Sequence, residues 1–348
     1  MFDENTVARQ IASGHKTGRK TFAFDENHDP TEPITMWFQD TGEGLGLFVI
    51  FYTQACRWSR CLGCNLPSLC SQFPVGFKNV LTQVDRVFAN PAVQKRRSEI
   101  RRLIVSNNGS VLDQITFPST ALMHLVLQAQ LNFSNLSVLC LETRAEYVEP
   151  AELEFLARAI KEGETPTELE LAIGFEAFDD KIRNNLMKKG LTKKVFEELI
   201  GDMAEHRFRL KCYLMQKPMP GMTDEEGIRD IQNAIAYFGT LSAAHGGKDA
   251  GPRVQINVHL NPTYVAKGTI LEKAFLEGGY TPPNLRDVAR AALFAENLPL
   301  TVFIGLNDEG LAVPGGSFIR EGDDPLVERL EKFNQRQDYN ILHSFVSL

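Results

Sequence analysis

Short apolar runs that alternate with amphipathic stretches are the feature that most constrains the fold of this chain. The runs are nearly continuous, which is typical of strands covered on both faces. The stretches between them, such as residues 151–161 and 193–206, carry apolar residues at helical spacing. This alternation predicts successive β–α units, a parallel sheet and right-handed crossovers. The predicted strands are residues 47–52, 103–106, 136–141, 169–173, 210–215, 254–260 and 300–306.

A chain of 348 residues is long enough for one domain of barrel size or for two ordinary domains. We expect an α/β fold, a parallel partial (β/α)6 TIM-like barrel with short N- and C-terminal extensions. The predicted bounds are 1–35 for the N-terminal extension, 36–306 for the barrel and 307–348 for the C-terminal extension. In such barrels the active site lies at the C-terminal ends of the strands.

Three cysteines follow the first predicted strand at this functional end. Cys56, Cys61 and Cys64 have a C-x4-C-x2-C spacing, and three thiolates on one loop can bind three irons of a 4Fe–4S cluster. Zinc is the alternative, with Cys70 as a fourth ligand, although no second C-x2-C pair is present. Redox cysteines remain a third alternative, whereas a disulfide framework is not expected from six cysteines without a secretory leader.

Polar groups follow nearly every other predicted strand. Each has a plain explanation by itself, such as a turn, a surface ion pair or a stiff loop. Together they point to one ligand that carries an amino group, a carboxylate and a ribose. These groups are at residues 107–113, 142–144, 174–176, 216–218 and 261–263.

Composition narrows the class of protein and its location. A formal net charge of −7 argues against a protein wrapped in nucleic acid. The sequence has no signal peptide and no apolar run near the roughly 20 residues that cross a membrane, so we expect a cytoplasmic protein.

Two basic stretches, residues 14–20 and 95–102, could contact a polyanion or form solvated surface. Cys140 and Cys212, both within predicted strands, are interpreted as core residues.

The ordered motifs resemble the radical S-adenosylmethionine (SAM) superfamily over residues 36–300. The chain looks like the branch that contains the radical SAM subunit of archaeosine synthase and the radical SAM domain of the elongator catalytic subunit. After the cysteines, the resemblance rests on residues 108–113, 142–148, 174–176, 189–190, 213–218, 261–263 and 280–283.

The resemblance implies roles for individual residues. Cys56, Cys61 and Cys64 would ligate a 4Fe–4S cluster, and SAM would bind its open iron. Reductive cleavage of SAM would then give a 5′-deoxyadenosyl radical. Asn108, Gly109 and Ser110 would hold the methionyl ammonium, Glu142 and Arg144 would contact the ribose or methionyl end, and Glu176 and Lys217 would be further contacts.

The chain departs from the usual pattern of the superfamily at two points. The usual spacing is C-x3-C-x2-C, so one extra residue lies between Cys56 and Cys61, and the first ligand's loop must bulge. Cys70 is a spare ligand if Cys56 is displaced. Gly63 stands where an aromatic residue commonly packs against adenine, and Trp58 is the candidate replacement.

The sequence therefore predicts a radical SAM enzyme with an external one-electron reductant of flavodoxin or ferredoxin type. Its substrate is unidentified, with a modified nucleoside or tRNA base favoured by analogy. The alternative is a non-catalytic zinc- or Fe–S-bearing scaffold or RNA-binding protein. The catalytic residue that acts on the substrate is not identified by the sequence.

Overall fold

The computed structural model describes residues 23–61, 64–247, 251–308 and 310–346. The chain divides into two compact units, one of Met1–Arg60 with Leu66–Ile173 and the other of Cys61–Asn65 with Gly174–Leu348. The basic stretch at 14–20, and with it most of the predicted N-terminal extension, lies outside the described residues. None of the described helices has the length and apolar content needed to span a membrane.

The strands of the first unit form a sheet with the order β1-β2-β3-β4-β5. β1 is antiparallel to β2, whereas β2 to β5 run parallel to one another. Parallel strands end at one edge, so the polar residues that follow β2, β3 and β4 share that edge. The strands are β1 (Thr35–Thr41), β2 (Gly44–Ile50), β3 (Ile100–Ser106), β4 (Val138–Thr143) and β5 (Glu168–Glu176), the last of which continues into the second unit.

β1 is a strand that the apolar-run pattern did not predict. Its residues are all partly or largely exposed, so it carries no continuous apolar run. Trp37 stacks on Phe48 of β2 with ring centroids 4.3 Å apart, which adds to the ladder that joins the two strands. β2 begins directly after the turn at Gly44, whose φ of +109° is a conformation that favours glycine. The turn itself consists of residues 42 and 43.

The helices of the first unit connect its strands and cover them. The helix after β3 is apolar on most of its circumference, with Leu122, Leu125 and Val126 buried and Met123, Leu127 and Leu131 largely exposed. The helices are α1 (Phe77–Ala89), α2 (Pro91–Arg96), α3 (Ser119–Asn132) and α4 (Pro150–Glu162), with 3-10 turns at Leu66–Leu69 and Ala145–Tyr147.

The second unit contains the strands β6 (Arg209–Gln216), β9 (Gln255–Pro262) and β10 (Thr301–Ile304), which pair in parallel in the order β6-β9-β10. Two-residue strands, β7 (Gly246–Gly247) and β8 (Gly251–Pro252), form a separate antiparallel pair. The helices are α5 (Lys193–His206), α6 (Asp224–Ala244), α7 (Ile270–Leu276), α8 (Leu285–Leu293), α9 (Asp324–Arg336) and α10 (Tyr339–Val346), and a π-helix spans Lys181–Leu186.

The predicted fold class is confirmed: the chain is an α/β protein with mostly parallel strands in the order expected of a partial barrel. Each predicted strand overlaps an observed one. α6 begins with a capping box, in which Thr223 and Glu226 satisfy each other's backbone N–H groups. Observed strand ends differ by a few residues: β4 extends to Thr143 and β5 to Glu176, so Glu142 and Glu176 lie within strands and Arg144 follows one.

Candidate functional site

Cys56 lies at the carboxyl edge of the first unit, a few residues beyond β2. The residues that lead to it, from Phe51 to Ala55, are buried, and Cys56 itself is partly exposed. The loop after β3 lies directly behind it. A Cβ atom added at Gly109 would lie 3.1 Å from the Cα and 3.2 Å from the Cβ of Cys56. Only glycine therefore allows the two loops to approach this closely.

Ser59 occupies the middle of the long spacing between Cys56 and Cys61. Its backbone lies in the left-handed region at φ +41°, and its hydroxyl donates a hydrogen bond to the carbonyl oxygen of Cys56. Ser59 is also buried, at 6% exposure. The loop thus turns back on Cys56 at this residue, which is the bulge that one extra residue requires.

Arg57 joins the cysteine loop to the loop after β3. Its Nε–H donates to Oδ2 of Asp113 at 3.0 Å, and its guanidinium lies 4.3 Å from the centroid of the Tyr147 ring. Burial raises the pKa of Asp113 even though Arg57 opposes the shift. Burial, with Cys56 nearby, also raises the pKa of Tyr147 to about 12, so the phenol is neutral near pH 7.

Trp58 packs against two arginines. The guanidinium of Arg144 lies 5.0 Å from its ring centroid and that of Arg60 lies 5.2 Å away. Arg144 is buried and also forms an ion pair with Glu146, to which its Nε donates at 2.6 Å. Arg144 is therefore a buried arginine that contacts the cysteine loop, not an exposed surface group.

Asn108 presents a buried donor in the loop after β3. It is only 6% exposed and adopts a left-handed φ of +55°. Its Nδ2 has no hydrogen-bond partner within the described part of the chain. Ser110 differs, because its hydroxyl lies 2.5 Å from the Thr143 hydroxyl and accepts a hydrogen bond from the Arg144 backbone N–H at 3.0 Å. Asn108 can therefore meet a ligand, whereas Ser110 connects β4 to the loop.

Glu142 is the penultimate residue of β4 and its side chain is partly buried. Its carbonyl oxygen accepts a hydrogen bond from the N–H of Val111 at 2.9 Å. This bond attaches the loop that contains Asn108, Gly109 and Ser110 to β4. The first unit thus brings together Cys56, the 108–110 segment, Glu142 and Arg144, which the sequence nominated separately.

The second unit contains the remaining nominated residues. Glu176 lies at φ +71° and accepts a hydrogen bond from Nζ of Lys189 at 2.8 Å. Lys217 is buried at φ +57°, and its Nζ donates to Asp224 at 2.7 Å and to Thr281 at 3.3 Å. The Tyr280 hydroxyl donates to the Lys217 carbonyl oxygen at 2.8 Å. The Tyr280-Thr281 motif therefore holds Lys217 in place.

The cysteines fall into two groups in the described residues, none of which forms a disulfide. Cys56, Cys61 and Cys64 are partly exposed, and the Cys64 N–H donates to the Cys61 carbonyl at 3.3 Å. Cys70 is buried and its thiol lies 3.7 Å from the Leu66 carbonyl oxygen and 3.8 Å from that of Asn107. Within the described part of the chain, no three His, Cys, Asp or Glu side chains are gathered at metal-binding distance.

Glu152 is a titratable group near this site that the sequence did not single out. Burial, together with Glu149 and Asp113, raises the pKa of Glu152 to about 7. Its Oε2 is buried and has no hydrogen-bond partner among the described residues. The sequence carries no sign of this, because an acidic residue in the first turn of a helix is ordinarily explained by the helix dipole.

The basic stretch at 95–102 does not form a single surface patch. Lys95 and Arg96 lie on α2, whereas Arg101 and Arg102 lie on β3. Arg102 is buried and paired with Glu170 and Glu43, so it is unavailable to a polyanion. Arg96 pairs with Glu99 at 3.0 Å. The stretch also precedes or begins β3, at the end opposite to the loop with Asn108.

No family model matches the chain. The chain is 26% identical over 288 residues to archaeosine synthase subunit beta of Methanosarcina acetivorans, covering 77% of this chain and 74% of that protein. It is 22% identical over 319 residues to the Thermococcus kodakarensis protein of the same name, covering 86% and 88%. An uncharacterized protein of Methanocaldococcus jannaschii is 24% identical over 331 residues, covering 90% and 84%.

Among solved structures, the archaeal Elp3 of Methanocaldococcus infernus shares 15% identity with a TM-score of 0.48, covering 75% of this chain and 59% of that one. The resemblance predicted from the motifs is confirmed to this extent, because two of the relatives are named archaeosine synthase subunit beta.

Proposed function

We propose that this chain is a radical SAM enzyme that binds a 4Fe–4S cluster through Cys56, Cys61 and Cys64, with SAM beside it at the ends of β3 and β4. The observation that carries the proposal is the buried, unpartnered Nδ2 of Asn108, next to the glycine that backs Cys56. A buried donor without an acceptor is costly, and a bound ligand removes that cost. An amide N–H suits a carboxylate or ribose oxygen, so Asn108 would bind an oxygen of SAM rather than its ammonium.

The residues present fit both groups. Three partly exposed thiols without disulfides have the donor chemistry that an Fe–S cluster needs. The cluster and SAM, when bound, would supply a 5′-deoxyadenosyl radical by one-electron reduction and cleavage of SAM. An external one-electron donor of flavodoxin or ferredoxin type would complete that chemistry.

The chain's own part in this function is to bind and orient. Glu142, at the end of β4, would accept hydrogen bonds from SAM hydroxyls, while Arg144 would hold Trp58 against the site. We retain Glu176 and Lys217 as proposed cofactor contacts, each held by a partner, Lys189 or Asp224. The proposed catalytic barrel spans residues 36–306.

For the substrate, we propose a modified nucleoside in RNA. The support is the similarity to proteins named archaeosine synthase subunit beta. That name also favours action together with another subunit. Arg102 is buried and Arg96 is paired, so the basic residues at 95–102 do not form a ready surface for RNA. This favours a partner subunit that contributes the RNA contacts.

The test is anaerobic reconstitution of the full chain with iron and sulfide, followed by addition of SAM and dithionite. We expect about four irons per chain and release of 5′-deoxyadenosine. Alanine at Cys56, Cys61 or Cys64 should abolish both. Cys70→Ala is the matched control, because this buried thiol contacts backbone carbonyls and should be dispensable for iron binding.

Two outcomes would contradict the proposal. Four irons without 5′-deoxyadenosine would leave an Fe–S protein without radical chemistry. One equivalent of zinc and no iron would favour the scaffold alternative. For the substrate, RNA that is incubated with the active enzyme and then digested should yield a nucleoside of new mass. Unchanged RNA together with a changed metabolite extract would favour a small-molecule substrate.

A further inference from the structure

We infer that the loop after β3 positions Cys56 through two contacts. Asp113 of that loop forms an ion pair with Arg57, the residue after Cys56, and Gly109 of that loop lies close to Cys56 itself. The inference rests on the proposed function only in taking Cys56 to be a cluster ligand. Arg57 and Asp113 are thereby positioning residues, since neither offers a thiolate to iron. Gly109 limits how far the backbone of Cys56 can move toward the loop after β3. Arg57, the next residue in the chain, limits the rotation of the backbone at Cys56.

The ion pair is well enclosed. The side chains of Arg57 and Asp113 are 13% and 2% exposed, and Nε lies 3.0 Å from Oδ2. Tyr147 covers the guanidinium at 4.3 Å. A planar guanidinium that both donates to a carboxylate and stacks on an aromatic ring has little rotational freedom. The backbone of residue 57, and with it the adjoining Cys56, is correspondingly fixed.

Asp113 is itself rigidly held. Its Oδ1 accepts a hydrogen bond from the Ile115 N–H at 3.3 Å. Its carbonyl oxygen accepts hydrogen bonds from Thr116 N–H at 2.9 Å and from Phe117 N–H at 2.8 Å. One carboxylate oxygen thus belongs to the turn and the other to Arg57. The position of Arg57 is therefore set by the loop after β3 and not by the cysteine loop.

The long spacing explains why this chain needs such a device. A loop with an extra residue has more conformations than a shorter one, and ligand residues bind best when they are already in place. Ser59 absorbs the extra residue in its left-handed turn. The ion pair of Arg57, which precedes this turn in the chain, keeps Cys56 next to Gly109 in every conformation of the loop beyond Ser59.

A buried ion pair contributes little to net stability, which favours a positional role. Loss of one partner also destabilises the fold, and a positional role predicts a further, local effect at Cys56. This distinction can be measured in the apo-protein, without iron and without activity, because the thiols are not in disulfides.

The experiment is anaerobic alkylation of the full-length apo-protein with iodoacetamide, with the rate at each cysteine followed by peptide mass spectrometry. In Asp113→Asn, Oδ1 still accepts from Ile115, but an NH2 group now faces Arg57. We expect Cys56 to be labelled roughly fivefold faster than in the wild type, with Cys64 unchanged, because local opening becomes easier.

Two further variants complete the design. Arg57→Lys keeps the positive charge but loses the planar guanidinium and its stacking on Tyr147. The alkylation rate of Cys56 in this variant should therefore fall between the rates in the wild type and in Asp113→Asn. Arg60→Ala is the matched control, an exposed arginine of the same loop, and should leave the Cys56 rate unchanged.

Equal acceleration at all the partly exposed cysteines, or no acceleration at Cys56 in either variant, would overturn the inference. Thermal melts of each variant separate local loosening from general unfolding. If Asp113→Asn does not fold, Arg57→Lys still decides the question. Iron reconstitution of the wild type is a separate measurement, and its failure would refute the proposed function. The labelling of the apo-protein would still show whether Arg57 and Asp113 position Cys56.

Discussion

Arg102 of β3 and Glu170 of β5 form an ion pair inside the first unit, with β4 between their strands. Both side chains are buried, and Arg102 also contacts Glu43. Each is the third residue of its strand, whereas Asn107 follows the last residue of β3. Arg102 and Asn107 are therefore separated by about 16 Å along the strand. This ion pair is thus set back from the candidate site along the sheet, which agrees with the separation of stability from function in barrel-type folds.

Glu170→Ala should destabilise the protein by about 3–5 kcal/mol, since it leaves the buried guanidinium of Arg102 without its main partner. Urea denaturation followed by circular dichroism measures the loss. Glu154→Gln, at an exposed position of α4, is the control and should change the unfolding free energy by less than about 0.5 kcal/mol. Folded Glu170→Ala protein should still take up iron, and a selective loss of iron would contradict the separation of stability from function.

Gly109→Ala should impair iron uptake more than it impairs stability. The added Cβ would lie 3.1 Å from the Cα of Cys56, so the cysteine backbone must move. We expect at least a twofold loss of iron per chain after reconstitution, measured against protein concentration. Gly76→Ala is the matched control, because a Cβ there meets no described atom within 4 Å. Equal iron content in the two variants would show that the contact with Cys56 does not matter.

Glu152→Gln should change the pH dependence of stability in a defined direction. The pKa of Glu152 is raised to about 7 in the folded protein, from an ordinary value of 4.5. The folded state therefore holds the proton more tightly, and the stability that this gives is present below pH 4.5 and lost as pH rises toward 7. Glutamine stays neutral and avoids that loss.

The melting temperature of Glu152→Gln minus that of the wild type should therefore rise between pH 4.5 and 7 and level off above. Taking the difference removes the contribution of the groups common to both proteins. A difference that is flat with pH would show that Glu152 titrates as an ordinary surface carboxylate.

Gly163→Ala should cost about 1 kcal/mol of unfolding free energy by displacing a side chain that caps α4. Nε2 of Gln130 donates to the carbonyls of Ala159 and Ile160 at 3.3 and 3.2 Å. A Cβ on residue 163 would lie 1.7 Å from Oε1 of Gln130.

A double-mutant cycle with Gln130→Ala tests this explanation. Once Gln130 is shortened, Gly163→Ala should have almost no further effect, because both changes remove the same cap. Additive effects of the two substitutions would contradict it. Chemical denaturation of the four proteins gives the required free energies.

Periodicity in the sequence was sufficient to predict the parallel strands, because a strand covered on both faces must be apolar along its length. It could not predict β1, whose residues are partly exposed and whose pairing depends on Trp37 and Phe48. Motif reading predicted the importance of Cys56 and Asn108. It could not join Arg57 to Asp113, which lie 56 residues apart. It could not find Glu152, because the raised pKa comes from burial, which no local pattern encodes.

The left-handed turn at Ser59 has a consequence for how the cysteine spacing can vary between related chains. The hydroxyl of Ser59 closes the turn onto Cys56 itself, so the added residue is accommodated within four positions of the chain. An insertion absorbed this locally leaves β2 and the loop after β3 in register. We therefore expect the length of this loop to vary between related chains, provided that the residue at the turn tolerates positive φ. Searches for such enzymes should accordingly weigh the strand and the glycine behind the first cysteine above a fixed count of intervening residues.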